Sequence, residues 1–396
     1  MSDHRLLPAD RRGLPSTFRT VDDPRAAQPK VFDPALKQFD NAYRAGEPRF
    51  TDPALSAAWY AARRTAMDAV LTAVAGSGWA GHLVLRGSVV LKTWFGDAAR
   101  EPGDLDFVVT PADWALDDPR TEELFHGLTR AVAASSGPVR FLAEQTVTED
   151  IWTYERAPGR RLLFVWEAAG LPAGTLQLDF VFNEQLPVPA ETLEVVPGAV
   201  LNVAGRELSL AWKLLWLTTD MYPQGKDLYD AALLAGSTRL RYEVLRDVFT
   251  TGEAHYAEEP VGPDSVPTES DWANFAAEYP QLAGEESEHA RRLTAALAPT
   301  FAEVPDADRA AWWLEGWLGP VRRLTAEEGF AAGQAWLAAR RAPFVLAHRL
   351  TARALGPAAP ADLAAAMLAC PAWSWYAGRI ADGSLPPETV DSWLRA

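Results

Sequence analysis

The chain has 396 residues, 48% of them hydrophobic, and a formal net charge of −16. This length and composition predict two or three domains with a substantial apolar core. The negative charge argues against a protein whose whole surface binds nucleic acid, although it leaves a local basic groove open. Because there is no N-terminal apolar signal region, and no apolar stretch of the roughly 20 residues that span a bilayer, we expect a cytoplasmic protein with no membrane partner.

Several classes of protein are excluded because the sequence lacks their disulfide, metal-binding or cofactor-binding motifs. The only cysteine, Cys370, excludes an intrachain disulfide, and its apolar surroundings indicate a small buried hydrophobe rather than a nucleophile. The six histidines show no zinc-binding spacing. Neither the dinucleotide-binding glycine pattern nor the P-loop pattern occurs.

The first 75 residues predict an arm followed by a helix. Residues 1–50 are rich in Pro, Arg and Asp and lack apolar periodicity, so we expect a poorly ordered N-terminal arm that packs on the body. Residues 53–74 repeat apolar side chains at helical spacing, and Thr51 or Asp52 is placed to cap this helix.

Residues 51–205 predict an α/β core on one small sheet, because short strand patterns alternate with helical ones. A hairpin signal at residues 157–159 joins two of the strands. The predicted strands cover residues 82–85, 104–109, 149–154, 161–166 and 175–182, and the predicted helices cover residues 88–94 and 121–134.

Residues 206–396 predict a helical domain that contains an acidic loop. Residues 251–290 hold ten acidic residues and no Lys or Arg, which is typical of a solvated loop leading into a helix. An autoinhibitory mimic of nucleic acid is the alternative. The spacing of Trp312, Trp313, Trp317 and Trp336 is typical of a helix core, with a platform that stacks bases as the alternative.

Three aspartates are placed by strand alternation on a common face. In the strand that starts at Asp104, the side chains of Asp104 and Asp106 point the same way, whereas Leu105 points toward the core. In residues 175–182, Asp179 lies on the face opposite an apolar row. If these two strands are neighbours, the three carboxylates converge.

Converging carboxylates require cations between them, and hard oxygen ligands suit Mg²⁺. Two ions roughly 3.5–4 Å apart stabilise the attacking and leaving oxygens of an in-line displacement. We therefore expect Asp104, Asp106 and Asp179 to bind two Mg²⁺ ions. A pair of solvated turn residues is the alternative for Asp104 and Asp106.

Gly87 and Ser88 follow the strand at residues 82–85 and open a short helix. Glycine permits close approach of the backbone to a ligand, and a serine at a helix start can cap it while the free amides favour a phosphate. A plain helix cap is the alternative. The order strand, Gly-Ser, helix and Asp-x-Asp strand is much rarer than any one of its parts.

These residues resemble the AbiEii/AbiGii group of bacterial toxins within the polymerase-β-like nucleotidyltransferases. The resemblance rests on Gly87-Ser88 and on Asp104-Leu-Asp106, and it extends over roughly residues 80–236. Arg100 holds the place of an arginine common in the family, whereas Pro102 replaces a usual Ser or Thr. The resemblance implies that Ser88 contacts the triphosphate and that Asp104 and Asp106 bind metal.

Two later elements extend the resemblance. Lys213 is the one cation in the apolar helix of residues 207–219, and from the residues alone it either snorkels to water or faces a polar cleft. The resemblance implies that it contacts the nucleotide. It also implies that Asp227, in the segment Lys-Asp-x-x-Asp, is an active-site acid. From the residues alone, Asp227 is equally well explained as a helix cap. Asp230 lies one helical turn further on and can share the same face.

The sequence therefore predicts an α+β fold, with the metal site at the edge of a small mixed sheet, followed by a helical C-terminal domain. The expected reaction is transfer of a nucleotide from a nucleoside triphosphate to an acceptor hydroxyl, with Asp179 assisting deprotonation. The resemblance implies an RNA acceptor, the tRNA 3′ end, and an antitoxin partner protein. Transfer to a small molecule or protein, and a non-catalytic nucleotide-binding module, remain the alternatives.

Overall fold

The computed structural model describes residues 13–36, 39–153, 157–221 and 223–390. The chain divides into two compact units. The first unit comprises Met1–Ser209 and Ala273–Gly284, and the second comprises Leu210–Trp272 and Glu285–Ala396. The first boundary lies close to the one predicted from the sequence, but a segment of the predicted acidic loop belongs to the first unit instead of the helical domain.

The first unit contains the strands and the first three helices. In chain order these elements are β1 (Ala26–Ala27), β2 (Lys30–Phe32), β3 (Tyr43–Ala45), β4 (Arg49–Phe50), α1 (Pro53–Ala75), β5 (Leu83–Arg86), α2 (Ser88–Phe95), β6 (Asp104–Val109), α3 (Pro119–Ala133), β7 (Val139–Phe141), β8 (Val147–Thr153), β9 (Ala157–Ala168), β10 (Gly174–Val181), β11 (Glu191–Val196) and β12 (Ala199–Val203).

The main sheet is mixed, with the strand order β11-β12-β5-β6-β10-β9-β7, and β8 pairs with β9 beside β7. The pairs β6–β10 and β5–β12 are parallel, and the other pairs are antiparallel. The predicted mixed sheet is confirmed. It is larger than predicted, however, and β6 and β10 lie in its interior rather than at its edge.

One face of the sheet is buried under α1 and α3. Strand residues such as Leu105, Phe107, Leu178 and Phe180 form a single apolar cluster with side chains of the two helices. The alternation of side chains along each strand leaves the opposite face of β6 and β10 for Asp104, Asp106 and Asp179. The hydrophobic face therefore fixes where the carboxylates point.

Helix α1 begins and ends close to the predicted bounds. Asp52 is its N-cap, and its side chain accepts hydrogen bonds from the amides of Ala54 and Leu55. Pro53 occupies the first helical position, where the missing N–H has no intrahelical partner to lose. The buried stripe that includes Trp59, Met67 and Leu71 faces the sheet.

The segment before α1 differs from the predicted disordered arm. Residues 1–12 and 37–38 lie outside the described part, but the rest of the segment forms the pairs β1–β4 and β2–β3. Leu36 is fully buried against Ile151 of β8. The amides of Ser16 and Thr17 donate to the carboxylate of Glu149 on the same strand. These contacts with the sheet stabilise the segment before α1, and the local periodicity of its sequence does not reveal them.

Two hairpins differ from the predicted pattern. β8 and β9 do pair as a hairpin, but Ala157, Pro158 and Gly159 lie inside β9 rather than at the turn, and residues 154–156 lie outside the described part. The hairpin β11–β12 was not predicted. Its signal is Pro197-Gly198, in which Gly198 has a φ of 84°, as the third position of a type II turn requires.

The second unit is helical, as expected for the C-terminal part. In chain order the remaining helices are α4 (Arg206–Thr219), α5 (Gly225–Ala235), α6 (Tyr242–Gly252), α7 (Trp272–Glu278), α8 (Glu286–Phe301), α9 (Asp306–Glu328), α10 (Phe330–Ala339), α11 (Phe344–Leu355), α12 (Leu363–Leu368) and α13 (Ser374–Ala381). The unit boundary at Leu210 falls within α4, and α7 belongs to the first unit apart from Trp272.

Several tryptophans and the cysteine of this unit lie in or against its core. Trp313 and Trp317 are buried, as the helix-core interpretation predicted, and Trp317 packs with Cys370 in one apolar cluster. Trp336 packs against the edge of the same cluster and carries the guanidinium of Arg340 over its ring. Across the described ranges, no helix is both long and apolar enough to cross a membrane.

Candidate active site

The three predicted carboxylates lie on neighbouring strands. β10 runs parallel to β6 with Asp179 opposite Asp106 and Gln177 opposite Asp104. Asp104 and Asp106 are half-buried, whereas Asp179 is buried. The predicted adjacency of the two strands is therefore confirmed.

Charged residues on the neighbouring strands extend Asp106 and Asp179 into a row across the sheet. Arg86 of β5 lies opposite Asp106, Arg161 of β9 lies opposite Asp179, and Glu149 of β8 lies opposite Arg161. Residues directly opposite one another on paired strands share a face of the sheet. The polar face therefore carries a row of five charged positions, with an arginine on each side of the two aspartates.

Asp179 is held by Arg161. The Nε and Nη2 atoms of Arg161 donate to the two carboxylate oxygens of Asp179, each at 2.8 Å. Gln177 donates a further hydrogen bond to Oδ2 of Asp179 at 3.1 Å. The Nη1 atom of Arg161 donates to Oδ2 of Asp33 at 2.8 Å. Arg161 thus joins the segment before α1 to the candidate site.

Burial and charge oppose each other in this network. Burial raises the pKa of the Asp179 carboxyl, and the Arg161 guanidinium counteracts that rise. Burial alone would lower the pKa of Arg161, but Asp179 and Asp33 hold it above its ordinary value. At Asp33, Arg161 and Arg44 outweigh burial and lower the pKa. Arg161 therefore stays protonated in the folded chain.

Gly87 brings the backbone against Asp106. Its φ is 81°, and a Cβ atom at this position would lie 2.6 Å from Oδ2 of Asp106. A residue with a side chain would be strained here and would push against the carboxylate. The glycine of the Gly-Ser motif is therefore required by a close approach to the candidate site.

Ser88 is the first residue of α2, and Gly87 is its N-cap. Ser88 therefore does not cap the helix, contrary to the sequence-based expectation. Its side chain is buried, and its Oγ has no hydrogen-bond partner within the part of the chain that the structure describes. A buried hydroxyl without a partner costs free energy, and it lies beside the free amides at the start of α2.

Arg100 lies before β6, and its side chain contacts another residue of the first unit. It is buried, and its side chain is hydrogen-bonded to Tyr279. Burial raises the pKa of Tyr279 to about 12, and Arg100 opposes the rise. The returning segment Ala273–Gly284 thereby contacts the loop that leads to Asp104.

The side chains of the candidate site suit a divalent ion that is also bound by substrate phosphates. Among the described residues, no group of three or more His, Cys, Asp or Glu side chains is arranged to hold a metal ion. Asp104 and Asp106 supply the one or two carboxylates that Mg²⁺ takes in addition to substrate phosphates. The orphaned Ser88 hydroxyl and the glycine cradle at Gly87 fit a bound phosphate. Both oxygens of Asp179 accept hydrogen bonds from Arg161, so a metal ion at Asp179 would have to compete with the guanidinium.

The predicted nucleotide contacts of the second unit form a buried cluster of their own. The Nζ atom of Lys213 lies 2.7 Å from Oδ1 of Asp227 and 3.0 Å from Oδ2 of Asp230, and all three residues are buried. Lys213 therefore does not snorkel to water. Gln224 is the N-cap of α5, so Asp227 lies in the first turn of this helix and not at its cap.

A family model matches residues 69–315, which is more than half of the chain. It describes the nucleotidyl transferase AbiEii toxin of type IV toxin–antitoxin systems. The chain belongs to this AbiEii family. No curated protein matches it.

Membership of the AbiEii family confirms the resemblance drawn from the motifs. The matched range includes Gly87, Ser88, Asp104 and Asp106, as well as Lys213. The family is one of nucleotidyltransferases, and its type IV toxin–antitoxin systems imply an antitoxin partner. Arg161 is not part of the AbiEii motifs and was not predicted as a site residue. A signal for it exists in the sequence, because a turn at Gly170 places Arg161 and Asp179 at equal distances along the two arms of the β9–β10 hairpin.

Proposed function

We propose that this chain transfers a nucleoside monophosphate from a nucleoside triphosphate to an acceptor hydroxyl. The observation that carries the proposal is the arrangement of Asp104 and Asp106 beside Gly87, at the start of a helix headed by Ser88. In this reaction the acceptor oxygen bonds to the α-phosphorus, and the bond between that phosphorus and its leaving oxygen breaks. Pyrophosphate departs, and the hydroxyl proton is lost to solvent.

Asp104 and Asp106 would hold a magnesium ion. When bound, Mg²⁺ neutralises charge on the triphosphate and on the leaving group. The two side chains lie two residues apart on β6 and point to the same face. Their strand is fixed by buried apolar neighbours on the other face, so the ligands are positioned before the nucleotide arrives.

The start of α2 would bind the phosphates. Three features support this: the free amides of the first helical turn, the unpartnered Oγ of Ser88 and the absence of a side chain at Gly87. A phosphate oxygen near Ser88 would give its hydroxyl the partner that the described part of the chain does not supply.

We retain Lys213 as a candidate nucleotide contact on the resemblance to the family. Its ammonium contacts two carboxylates, Asp227 and Asp230, so the cluster has one more negative than positive charge. A triphosphate would have to compete with both carboxylates for the lysine. Asp227 and Asp230 therefore determine how readily Lys213 can contact a triphosphate.

The acceptor we propose is RNA at the tRNA 3′ end, in the cytoplasm, with an antitoxin protein as the regulating partner. The family description of a type IV toxin supports the antitoxin. The net charge of −16 requires that any RNA-binding surface be local.

The test is label transfer by the full-length protein. Each α-labelled nucleoside triphosphate is incubated with Mg²⁺ and total tRNA, using wild type, Asp104→Asn and Asp97→Asn. Asp97 is an exposed carboxylate of the same unit and serves as the matched control. We expect Asp104→Asn to lose transfer by about 100-fold or more, the scale of a lost electrostatic contact in a transition state, and Asp97→Asn to retain it.

Two results would contradict the proposal. Transfer that persists in Asp104→Asn would reject the site. Transfer to no RNA, but to a small molecule or protein, would retain the site and reject the acceptor.

A further inference from the structure

Arg161 is fixed from two sides. Its guanidinium forms the bidentate pair with Asp179 and a third hydrogen bond with Asp33. Asp33 is itself held, because its backbone amide donates to the carbonyl of Ala42 and its Oδ1 accepts from the amide of Ala35. Since Arg161 is only 2% exposed, its side chain has no solvent to turn toward.

This arrangement removes Asp179 from the set of available metal ligands. A divalent ion on Asp179 would place two positive charges beside the guanidinium and would compete with two charge-assisted hydrogen bonds for the carboxylate oxygens. Displacing the guanidinium from Asp179 would leave a buried charge without compensation, which is strongly unfavourable. The absence of a three-residue acidic metal cluster among the described residues agrees with this conclusion.

Arg161 supplies a positive charge to Asp179 from the side of β9, opposite the side on which β6 lies. Asp179 lies opposite Asp106 across the β6–β10 pair, and Arg161 lies opposite Asp179 across the β9–β10 pair. The guanidinium is therefore one strand away from Asp179 and two strands away from Asp106. It neutralises the carboxylate that would otherwise repel Asp104 and Asp106.

We propose that Arg161 takes the place of a second divalent ion, so that Asp104 and Asp106 hold a single ion and Asp179 binds none. This inference rests on the proposed nucleotidyl transfer and specifies the composition of its site. Arg161 acts through Asp179 and is a positioning residue: it fixes the carboxylate of β10 and sets the charge around the ion.

The test counts Mn²⁺ ions on the full-length chain. Mn²⁺ is titrated by electron paramagnetic resonance in the presence of a nucleoside triphosphate analogue that has a methylene group between the α- and β-phosphorus atoms. We expect one Mn²⁺ per chain with the spectrum of an isolated ion. Two Mn²⁺ per chain with a spin-coupled spectrum, as expected for ions roughly 3.5–4 Å apart, would overturn the inference.

Variants at positions 161 and 179 separate the alternatives further. Arg161→Gln frees Asp179 and is expected to bind two coupled Mn²⁺ ions, whereas Arg161→Lys keeps the charge and is expected to bind one. Asp179→Asn is also expected to bind one. A single ion in a folded Arg161→Gln protein would contradict the inference; if this variant does not fold, the counts for wild type and Asp179→Asn decide.

The same titration distinguishes this inference from the proposed function. Asp106→Asn should lower the affinity for Mn²⁺ by about tenfold or more, since it removes one of two charged ligands. If wild type and Asp106→Asn both bind no Mn²⁺, the proposed function fails together with the inference. Two ions in wild type overturn the inference alone.

Discussion

Gly87 shows how one residue joins backbone conformation to the candidate chemistry. It adopts a positive φ and leaves room for Oδ2 of Asp106. We expect Gly87→Ala to lower the free energy of unfolding by about 1–2 kcal/mol, because a side chain is strained at this φ. We also expect it to reduce nucleotidyl transfer, since the new Cβ atom displaces the carboxylate. Urea unfolding and the label-transfer assay measure the two effects.

Gly170→Ala is the matched control for this substitution. Gly170 also has a positive φ, but a Cβ atom there meets nothing within 4 Å. The control should lose stability and keep its activity. Equal activities of the two variants would show that the contact between Gly87 and Asp106 has no role in the reaction.

Lys213 offers a second prediction at this scale. Lys213→Met leaves Asp227 and Asp230 buried without their cation, so we expect the free energy of unfolding to fall by about 3–5 kcal/mol. Lys92, which pairs with Glu101 near the surface, is the control. Lys92→Met should cost about 1 kcal/mol or less. Chemical denaturation of both variants makes the comparison, and equal losses would show that the Lys213 cluster is not a structural element.

The placement of the candidate site residues was predictable where strand alternation decides it. Asp104 and Asp106 follow from their spacing, and Asp179 follows from the apolar row on its own strand. Arg161 did not follow, because its partner depends on which strand lies beside β10 and in which register. Pairing between strands is a property of the tertiary structure, and the sequence pattern of one strand does not contain it.

At the scale of elements, segments with a clear apolar pattern were predicted well, and strands of two or three residues were not. The bounds of β6 agree with the prediction, and α1 differs by one residue at its C-terminal end. β7 has three residues, too few for an alternation pattern. The strands β1 to β4 have two or three residues each and depend on contacts with one another and with the sheet.

The C-terminal helices can be probed through the single cysteine. Cys370 follows α12, lies in the apolar cluster, and has a thiol whose pKa is raised by burial. The native chain should therefore react with a disulfide reagent at pH 8 about tenfold or more slowly than the urea-unfolded chain, because little thiolate is present and access is blocked. The native rate should also rise at a higher pH than the unfolded rate.

Stopped-flow measurement of the released thiolate checks this prediction. Free glutathione at the same pH is the control for the reagent. Equal rates in the native and unfolded chains would mean that the cluster around Cys370 opens readily.

At the scale of the whole molecule, the first unit is built from two separate parts of the chain. Phe275 is buried in the returning segment. We expect Phe275→Ala to destabilise the first unit by about 3–5 kcal/mol. Hydrogen exchange should show faster exchange of amides in β6 and β10.

Phe249→Ala is the control, because Phe249 is equally apolar and buried but belongs to the second unit. It should increase exchange in the helices of that unit. If Phe275→Ala instead affected only the helices of the second unit, the assignment of Ala273–Gly284 to the first unit would be incorrect.

The returning segment also sets an order of events during synthesis. Tyr279, which contacts Arg100 in the loop before Asp104, is translated long after the sheet strands. A nascent chain therefore cannot complete its first unit until residues 273–284 have emerged from the ribosome. The coding order thus postpones assembly of the first unit until residues 210–272 of the second unit have been made.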